Sequence, residues 1–274
     1  MAWLIDGMRE YTHCQYPVGG PGARFASADA TISAIIPPMT RSTEKTAGPH
    51  ELLERCETLM LDMDGTILDL AYDNYMWLTR VPEAYAEEHS VSPELARKRL
   101  YALFEEMRGT LNWYCLEHWS ERLKLDVVAL HHDHRDRIGF LPGARRFLER
   151  IVQHEIRVLL VTNSHRSTLA LKSDELGLDV YFDRIYSSHD MGHPKEEQRF
   201  WQNMQAEDGF DSQTTLFVDD TVPVLHSADE FGIAHLIQVT RPDTSRPHKP
   251  DAVFTGVESI AELVAAGSEE AEKD

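Results

Sequence analysis

Two aspartates, Asp62 and Asp64, lie two residues apart at the end of an apolar run and are followed directly by Gly65 and Thr66. The run from 57 to 64 predicts a buried strand, in which residues i and i+2 point the same way. Both carboxylates would then face one site at the carboxyl end of the strand, where open α/β sheets bind ligands. Two close negative charges repel each other unless a cation lies between them or one is protonated. The pattern therefore indicates a hard divalent metal and a nucleophile beside an acid or base.

Polar residues also follow three later elements of the predicted fold. One strand ends at Thr162 and Asn163, Lys195 opens a helix, and a further strand ends at Asp219 and Asp220. Each signal alone has an ordinary explanation, such as a helix N-cap or a solvated lysine. In this order, and at these element ends, they form a strong joint signal for one functional site.

The order of the predicted elements indicates an α/β fold. After Gly139, strand and helix patterns alternate, which implies a parallel sheet with helices on both faces. The stretch between the first and second strands is helical in character and includes an amphipathic pattern over Thr110–Leu123. We therefore predict a core formed by residues 51–68 and 139–266, with an all-helical cap at 69–138 inserted after the first strand.

The two ends of the chain differ from this regular pattern. Residues 1–50 are rich in proline and glycine and show no lasting helical or strand period. Such a stretch predicts a disordered N-terminal extension, and the alternative is a translation start at Met39. Residues 267–274 form an acidic tail.

The composition limits the partners and the compartment. The chain carries 46 acidic and 27 basic side chains, a net charge of −19, which argues against a nucleic-acid polymer as the partner. Three scattered cysteines without C-x-x-C spacing fit neither a disulfide framework nor a zinc site and favour the reducing cytoplasm. No stretch approaches the roughly 20 apolar residues that span a bilayer, and no signal peptide is recognisable. We expect a soluble cytoplasmic protein with no membrane partner.

The cap segment contains two groups of residues that have more than one interpretation. The first group is aromatic and follows helical spacing: Trp113, Tyr114 and Trp119. Packing is the ordinary role of such side chains, and stacking on a purine base is the alternative. The second group consists of histidines in a charged stretch: His131, His132 and His134. We expect these histidines to lie in a solvated linker rather than in a metal site.

The order of the strand-end motifs resembles that of the haloacid-dehalogenase-like (HAD) superfamily of phosphohydrolases. The superfamily's first motif, D-x-D-G-T, is matched by 62–66, and its second, a threonine or serine that closes a strand, by Thr162. Lys195 matches the third motif, and the acidic pair Asp219 and Asp220 matches the fourth. The resemblance covers about residues 55–265, and it implies a Rossmann-like core with a C1-type cap.

Four longer strings are similar to those of the bacterial GMP/IMP nucleotidases of this superfamily. They are Leu68–Tyr75, Thr110–Glu117, Pro194–Arg199 and Thr215–Asp220. This resemblance implies a small phosphomonoester substrate, namely a purine nucleoside monophosphate such as GMP or IMP, and Mg²⁺ as the cofactor. The first 50 or so residues do not belong to the resemblance.

The resemblance also implies a role for each matched residue. Asp62 would attack phosphorus and form an aspartyl-phosphate, while Asp64 would protonate the leaving oxygen and then deprotonate the hydrolytic water. Lys195 would offset charge between the phosphoryl group and its attacker, and Thr162 and the amides near Asn163 would bind phosphoryl oxygens. The magnesium ligands would come from four aspartates: Asp62, Asp64 through its backbone carbonyl, Asp219 and Asp220.

Other functions remain open at the level of sequence. A sugar-phosphate or phosphoglycolate phosphatase would share the core chemistry and differ in the lining of its cap. A haloacid dehalogenase attacks carbon and needs neither a metal nor Asp64. A phosphonatase needs a cap lysine for a Schiff base, and Lys98 and Lys124 lie in the cap segment. The non-enzyme alternative is a binding protein on an inactive HAD core.

Overall fold

Six parallel strands form one sheet in the order β3-β2-β1-β4-β5-β6. The computed structural model describes residues 48–247 and 251–264, so most of the predicted N-terminal extension and the whole acidic tail lie outside the described residues. The strands are β1 (Thr58–Leu61), β2 (Arg157–Thr162), β3 (Arg184–Ser187), β4 (Thr215–Asp219), β5 (His235–Val239) and β6 (Thr255–Val257). The parallel sheet predicted from the sequence is confirmed, although β6 was not anticipated.

The central strand β1 is buried on both faces and pairs with β2 on one side and β4 on the other. Leu59 and Leu61 pack into one hydrophobic cluster, and Met60 packs into a second cluster. Alternate side chains of a strand point to opposite faces, so the two clusters are the two layers between the sheet and its helices. Chain connections diverge at β1, which makes the carboxyl ends of β1, β2 and β4 the expected binding crevice.

Helices lie before and between these strands, and a 3₁₀ helix, Ile260–Leu263, follows β6. The helices of the first part of the chain are α1 (Pro49–Arg55), α2 (Ala71–Tyr75), α3 (Val81–Glu88), α4 (Pro93–Met107), α5 (Leu116–Leu123) and α6 (Val127–Asp133). Those of the second part are α7 (Ala144–Ile151), α8 (Arg166–Leu176), α9 (Ser188–Met191), α10 (Gln198–Asp208) and α11 (Val222–Phe231). Among the described residues, no helix has both the length and the apolarity that crossing a bilayer requires.

Helices α2 to α6 lie between β1 and β2, and an aromatic cluster forms their interior. Trp119 is 1% exposed and contacts Phe104, Trp77 and Trp113 with ring centroids 5.1, 5.8 and 6.0 Å apart. Edge-to-face pairs of this kind add stabilisation beyond burial alone. Packing is therefore the role of Trp113 and Trp119, and neither is available to stack on a substrate.

The amphipathic pattern over Thr110–Leu123 is not one continuous helix. A 3₁₀ helix spans Leu111–Tyr114, and α5 begins after Cys115, whose extended backbone and sulfur cap the new helix at the amide of His118. The break turns Tyr114 out of the aromatic cluster. A local cap thus overrides a hydrophobic periodicity that runs across it.

The expected solvated linker is also only partly correct, because His131 is fully buried while His132 is exposed. His131 lies one helical turn after Val127 in α6, so both face the interior. Its Nδ1 lies 2.9 Å from the hydroxyl of Tyr72, and its ring tilts against that of Trp77. Because its neighbours in sequence are charged, the pattern does not indicate that His131 is on the inward face of an amphipathic helix.

Candidate active site

Three predicted site residues lie at the carboxyl ends of the three central strands. Asp62 directly follows β1, where its amide donates to the carbonyl of Val218 at 3.0 Å, while Thr162 ends β2 and Asp219 ends β4. Asp220 follows directly on the same edge of the sheet. Neighbouring parallel strands end together, which is why residues more than 150 positions apart meet here.

Lys195 reaches this edge from a turn, not from the first residue of a helix as expected, since α10 begins at Gln198. Two hydrogen bonds hold the turn: the Lys195 amide donates to Asn163 Oδ1 at 2.9 Å, and the Lys195 carbonyl accepts from Trp201 Nε1 at 2.9 Å. Both partners belong to the core, so the turn is fixed from two sides. The chain thereby delivers a lysine side chain into the interior.

The Lys195 ammonium joins two carboxylates. Its Nζ lies 2.5 Å from Asp62 Oδ1 and 2.7 Å from Asp219 Oδ2, and it donates to the Val161 carbonyl at 3.0 Å. The side chain is only 2% exposed. Burial alone would lower the pKa of Lys195, but the two carboxylates raise it, so the residue is a fixed cation beside Asp62.

Asp62, Asp219 and Asp220 form a buried group whose carboxylate oxygens lie within 4.8 Å of one another. Burial raises the pKa of Asp62 despite Lys195, and burial together with Asp219 raises the pKa of Asp220 to about 7. Among the described residues, Asp220 Oδ2 has no hydrogen-bond partner. Converging carboxylate oxygens with an unsatisfied acceptor fit a hard divalent cation.

Gly65 leaves space for this acidic group. Its φ of +93° lies in the left-handed region, and a Cβ at this position would be only 2.7 Å from Asp220 Cγ. Any side chain here would therefore meet both backbone strain and the Asp220 carboxylate. The glycine of the Asp62–Thr66 motif is required by this close approach.

The Asp64 side chain does not belong to that group. Lys172 Nζ lies 2.6 Å from Asp64 Oδ1, and Ser164 Oγ donates to Asp64 Oδ2 at 2.6 Å. Burial alone would raise the pKa of Asp64, but Lys172 and the hydrogen bond from Ser164 lower it. The two aspartates of the motif thus have different environments, each with its own lysine.

Sequence reasoning missed Lys172 and its second partner, Asp73. Lys172 lies in α8 and is 1% exposed, and its Nζ is 2.9 Å from each oxygen of Asp73 in α2. The available signal was its position three residues after Leu169 and four before Leu176, which places a lysine on the inward face of the helix. No local pattern could indicate Asp73, because 99 residues separate it from Lys172.

Thr162 and Asn163 line the site, but most of their polar atoms already have partners. The Thr162 hydroxyl oxygen accepts from the Ser164 amide at 3.0 Å. The Asn163 amide group donates to the hydroxyl of Tyr114 at 3.1 Å and to Glu196 Oε2 at 3.0 Å. Asn163 therefore connects the Lys195 turn to the helical insertion, which is the segment from α2 to α6 between β1 and β2.

A cavity of about 40 Å³ lies above these groups. Its walls combine core residues with three residues of the segment after β1: Leu70, Asp73 and Tyr114. Such a volume has room for water molecules between the two sets of walls. Residues of the helical insertion thus border the site in this structure.

A second group of candidate metal ligands, Cys115, Glu117 and His165, lies beside the insertion. Glu117 Oε2 accepts from the Ser167 hydroxyl at 3.0 Å and lies 3.2 Å from His165 Nδ1 and 3.5 Å from Cys115 Sγ. Glu117 is half exposed, and its hydrogen bonds account for the cluster. The group gives no independent reason to place a metal there.

The parallel sheet, the carboxylate–lysine site at its carboxyl edge and the helices inserted after β1 define a Rossmann-like α/β class of protein. The chain belongs to the haloacid dehalogenase-like hydrolases, since the profile of that family matches residues 59–237. The resemblance drawn from the motifs, the fold class and the assignment as a hydrolase are therefore confirmed.

Individual proteins support the same family. The chain is 39% identical over 193 residues to the GMP/IMP nucleotidase YrfG of Escherichia coli, a match that covers 70% of this chain and 87% of that protein. A HAD phosphatase from Thermococcus onnurineus has a similar structure, with a TM-score of 0.64 and 20% identity over 76% of this chain and 95% of its own. The magnesium-bound HAD-hydrolase YfnB of Bacillus subtilis has a TM-score of 0.54 and 21% identity, over 76% of this chain and 97% of its own. At these identities the two structures show the fold alone.

Proposed function

We propose that this protein is a Mg²⁺-dependent phosphomonoesterase that acts through an aspartyl-phosphate on Asp62, with purine nucleoside 5′-monophosphates such as GMP and IMP as substrates. The observation that carries the proposal is the buried contact of Asp62 with Lys195 beside Asp219 and Asp220. The similarity to a GMP/IMP nucleotidase supports the choice of substrate.

Four residues would hold the metal: Asp62, Asp219 and Asp220 through their side chains, and Asp64 through its backbone carbonyl. When bound, Mg²⁺ supplies a Lewis acid that offsets the charge of phosphoryl oxygens facing the attacking carboxylate. Lys195 holds Asp62 Oδ1 at 2.5 Å and keeps the carboxylate in one orientation. Both effects act among buried side chains, where electrostatic interactions are strong.

The reaction divides into two displacements at phosphorus. In the first, an Asp62 oxygen forms a bond to phosphorus while the bond to the nucleoside 5′ oxygen breaks, and Asp64 gives that oxygen a proton. In the second, a water oxygen attacks phosphorus, Asp64 takes a proton from the water, and the bond to Asp62 breaks. Asp64 thus begins and ends the cycle protonated, which requires the negative charge of the bound ester to raise its pKa against the lowering by Lys172 and Ser164.

The helical insertion would restrict which esters enter. Tyr114 and Asp73 border the cavity, so a nucleoside bound there would lie against the insertion. Tyr114 is the one of the three candidate aromatic residues that remains available to substrate, because Trp113 and Trp119 are buried in the aromatic cluster. Closure of the helical insertion over a bound ester would exclude bulk water from the aspartyl-phosphate.

The test is phosphate release from a panel of esters, with Mg²⁺ and with EDTA. The panel contains GMP, IMP, AMP, pyrimidine monophosphates, sugar phosphates and phosphoglycolate, and halide release from a 2-haloacid is measured in parallel. We expect metal-dependent release that favours GMP and IMP, and none from the Asp62→Asn variant. Release spread over sugar phosphates would retain the mechanism and reject the nucleotidase assignment. Halide release without phosphate release, or an active Asp62→Asn variant, would reject the mechanism.

The exposed Asp211→Asn variant is a matched control for that carboxylate substitution. Asp211 caps the 3₁₀ helix Ser212–Thr214, which leads into the amino end of β4. The active-site groups lie at the opposite, carboxyl end of this strand. Asp211→Asn should therefore keep wild-type turnover while Asp62→Asn loses it.

A further inference from the structure

Lys172 is a buried cation that the proposed mechanism does not yet use. Its ammonium bridges Asp64, in the catalytic motif, and Asp73, in the helical insertion, with contacts of 2.6 and 2.9 Å. It also lies 5.6 Å from the ring centroid of Tyr72. Lys172 therefore connects the core to the insertion at the catalytic acid.

Stability alone is a poor explanation for this arrangement. A buried ion pair loses the hydration of its charges, and apolar side chains of similar volume often stabilise a protein as well or better. The face of α8 that carries Lys172 is otherwise suited to such residues, since Leu169 lies on it. One partner of Lys172 is Asp64, two residues after the attacking Asp62, and this position indicates a functional reason for the buried ion pair.

Both oxygens of Asp64 are held by different partners. Lys172 occupies Oδ1 and Ser164 bonds Oδ2, which fixes the plane of the carboxyl group. A general acid must lie within hydrogen-bond reach of the atom that receives its proton, so its orientation limits the rate. Asp73 holds Lys172 with both of its own oxygens and thereby fixes the cation from the far side.

We infer that Lys172 is a positioning residue that orients the Asp64 carboxyl group for proton transfer to the leaving oxygen of the substrate. Lys172 occupies Oδ1, so Oδ2 is the oxygen left to exchange the proton, because the Ser164 hydroxyl beside it can rotate and accept as well as donate. Lys172 keeps all of its own protons throughout both displacements. The inference rests on the proposed transfer of the phosphoryl group to Asp62.

The test compares two esters that differ in their need for an acid. The 5′ oxygen of GMP leaves well only when it is protonated, whereas p-nitrophenolate leaves without a proton. The parameter to measure is kcat/KM, which covers binding through departure of the leaving group and does not contain the later hydrolysis step.

The reference for a lost acid is Asp64→Asn. Its kcat/KM for GMP should fall by about 10²- to 10⁴-fold, the usual contribution of a general acid. For Lys172→Gln we expect a fall of about 10- to 100-fold with GMP and less than about 3-fold with p-nitrophenyl phosphate. Lys172→Arg, which keeps a cation, should recover part of the loss with GMP.

Arg157→Gln provides the matched control for losing an ion pair. Arg157 begins β2 at the end of the sheet opposite the site and binds Asp208 with both nitrogens, at 2.6 and 2.5 Å. This variant should lose stability and keep the wild-type ratio of the two kcat/KM values. A double variant, Lys172→Gln with Asp73→Asn, removes the facing negative charge in case the single variant does not fold, and its ratio then decides the question.

Each outcome has one meaning. A loss specific to GMP supports the positioning role. An equal fall of kcat/KM with both esters, in variants whose unfolding midpoints show that they are folded, overturns it and leaves the proposed function intact. If the wild-type protein hydrolyses neither ester in the presence of Mg²⁺, the proposed function fails and the inference fails with it.

Discussion

Gly65→Ala is the substitution that most directly tests how the backbone shapes the acidic group. The φ of +93° at this position is unfavourable for alanine, at a cost of about 1–3 kcal/mol. The new Cβ would also lie 2.7 Å from Asp220 Cγ, whereas carbon atoms normally approach to about 3.5–4.0 Å. The Asp220 carboxylate must therefore move by about 1 Å.

A shift of this size is large for a metal ligand, whose bond length tolerates about 0.2 Å. We expect the Mg²⁺ concentration for half-maximal phosphate release to rise about 10-fold or more, in line with other changes that misplace a ligand. Chemical denaturation should show the backbone cost as a separate loss of unfolding free energy. The measurement is a Mg²⁺ titration of phosphate release, together with urea unfolding of the same samples.

Gly232→Ala separates the two effects. Gly232 ends α11 with a φ of +101°, and in the described part of the chain nothing lies within 4 Å of a Cβ built on it. This variant should therefore lose a similar unfolding free energy and keep the wild-type response to Mg²⁺. If Gly65→Ala and Gly232→Ala behave alike in both assays, the assignment of Asp220 as a ligand held in place by Gly65 is refuted.

Three further predictions concern the buried charges and the aromatic cluster. Lys195→Met leaves Asp62 without its cation, so we expect loss of turnover and about 3–5 kcal/mol of unfolding free energy, measured by urea denaturation. Trp119→Ala should lower the unfolding free energy by about 3–5 kcal/mol, because it leaves a cavity in the aromatic cluster, while the folded fraction keeps wild-type kcat. Burial lowers the pKa of His131 from 6.5 to about 3, so the unfolded chain binds a proton that the folded protein does not. The unfolding free energy should fall as the pH drops below 6.5, by about 1.4 kcal/mol per unit, and His131→Phe should remove this part of the pH dependence.

The site motifs could be predicted because their signals are local. Asp62, Thr162 and Asp219 each close a short apolar run, and the parallel arrangement of strands then places them at one edge of the sheet. Helix ends with a glycine in the left-handed region were equally clear, as at Gly177 and Gly232. The sequence alone is sufficient to predict such features, because each depends on a few neighbouring residues.

The features that sequence reasoning missed depend on contacts between distant segments. Nothing near Asp73 indicates that it pairs with Lys172, because the pairing exists only after the insertion folds onto the core. Strand β6 has three residues, one of them Gly256, and gives no alternating pattern. The inward turn of His131 was masked by charged neighbours in the same helix. In each case tertiary packing decides what local propensity leaves open.

The charges around the cavity predict an order of binding for the proposed reaction. Five carboxylates face two lysines here: Asp62, Asp64, Asp73, Asp219 and Asp220, with Lys172 and Lys195. Burial, together with the neighbouring charge of Asp219, raises the pKa of Asp220 to about 7. A phosphomonoester brings further negative charge into the same low-dielectric space, where repulsion is strong. On the proposed function, a divalent cation would reduce the excess before the ester arrives, so the carboxylates that would hold the metal would also make it a condition for substrate binding.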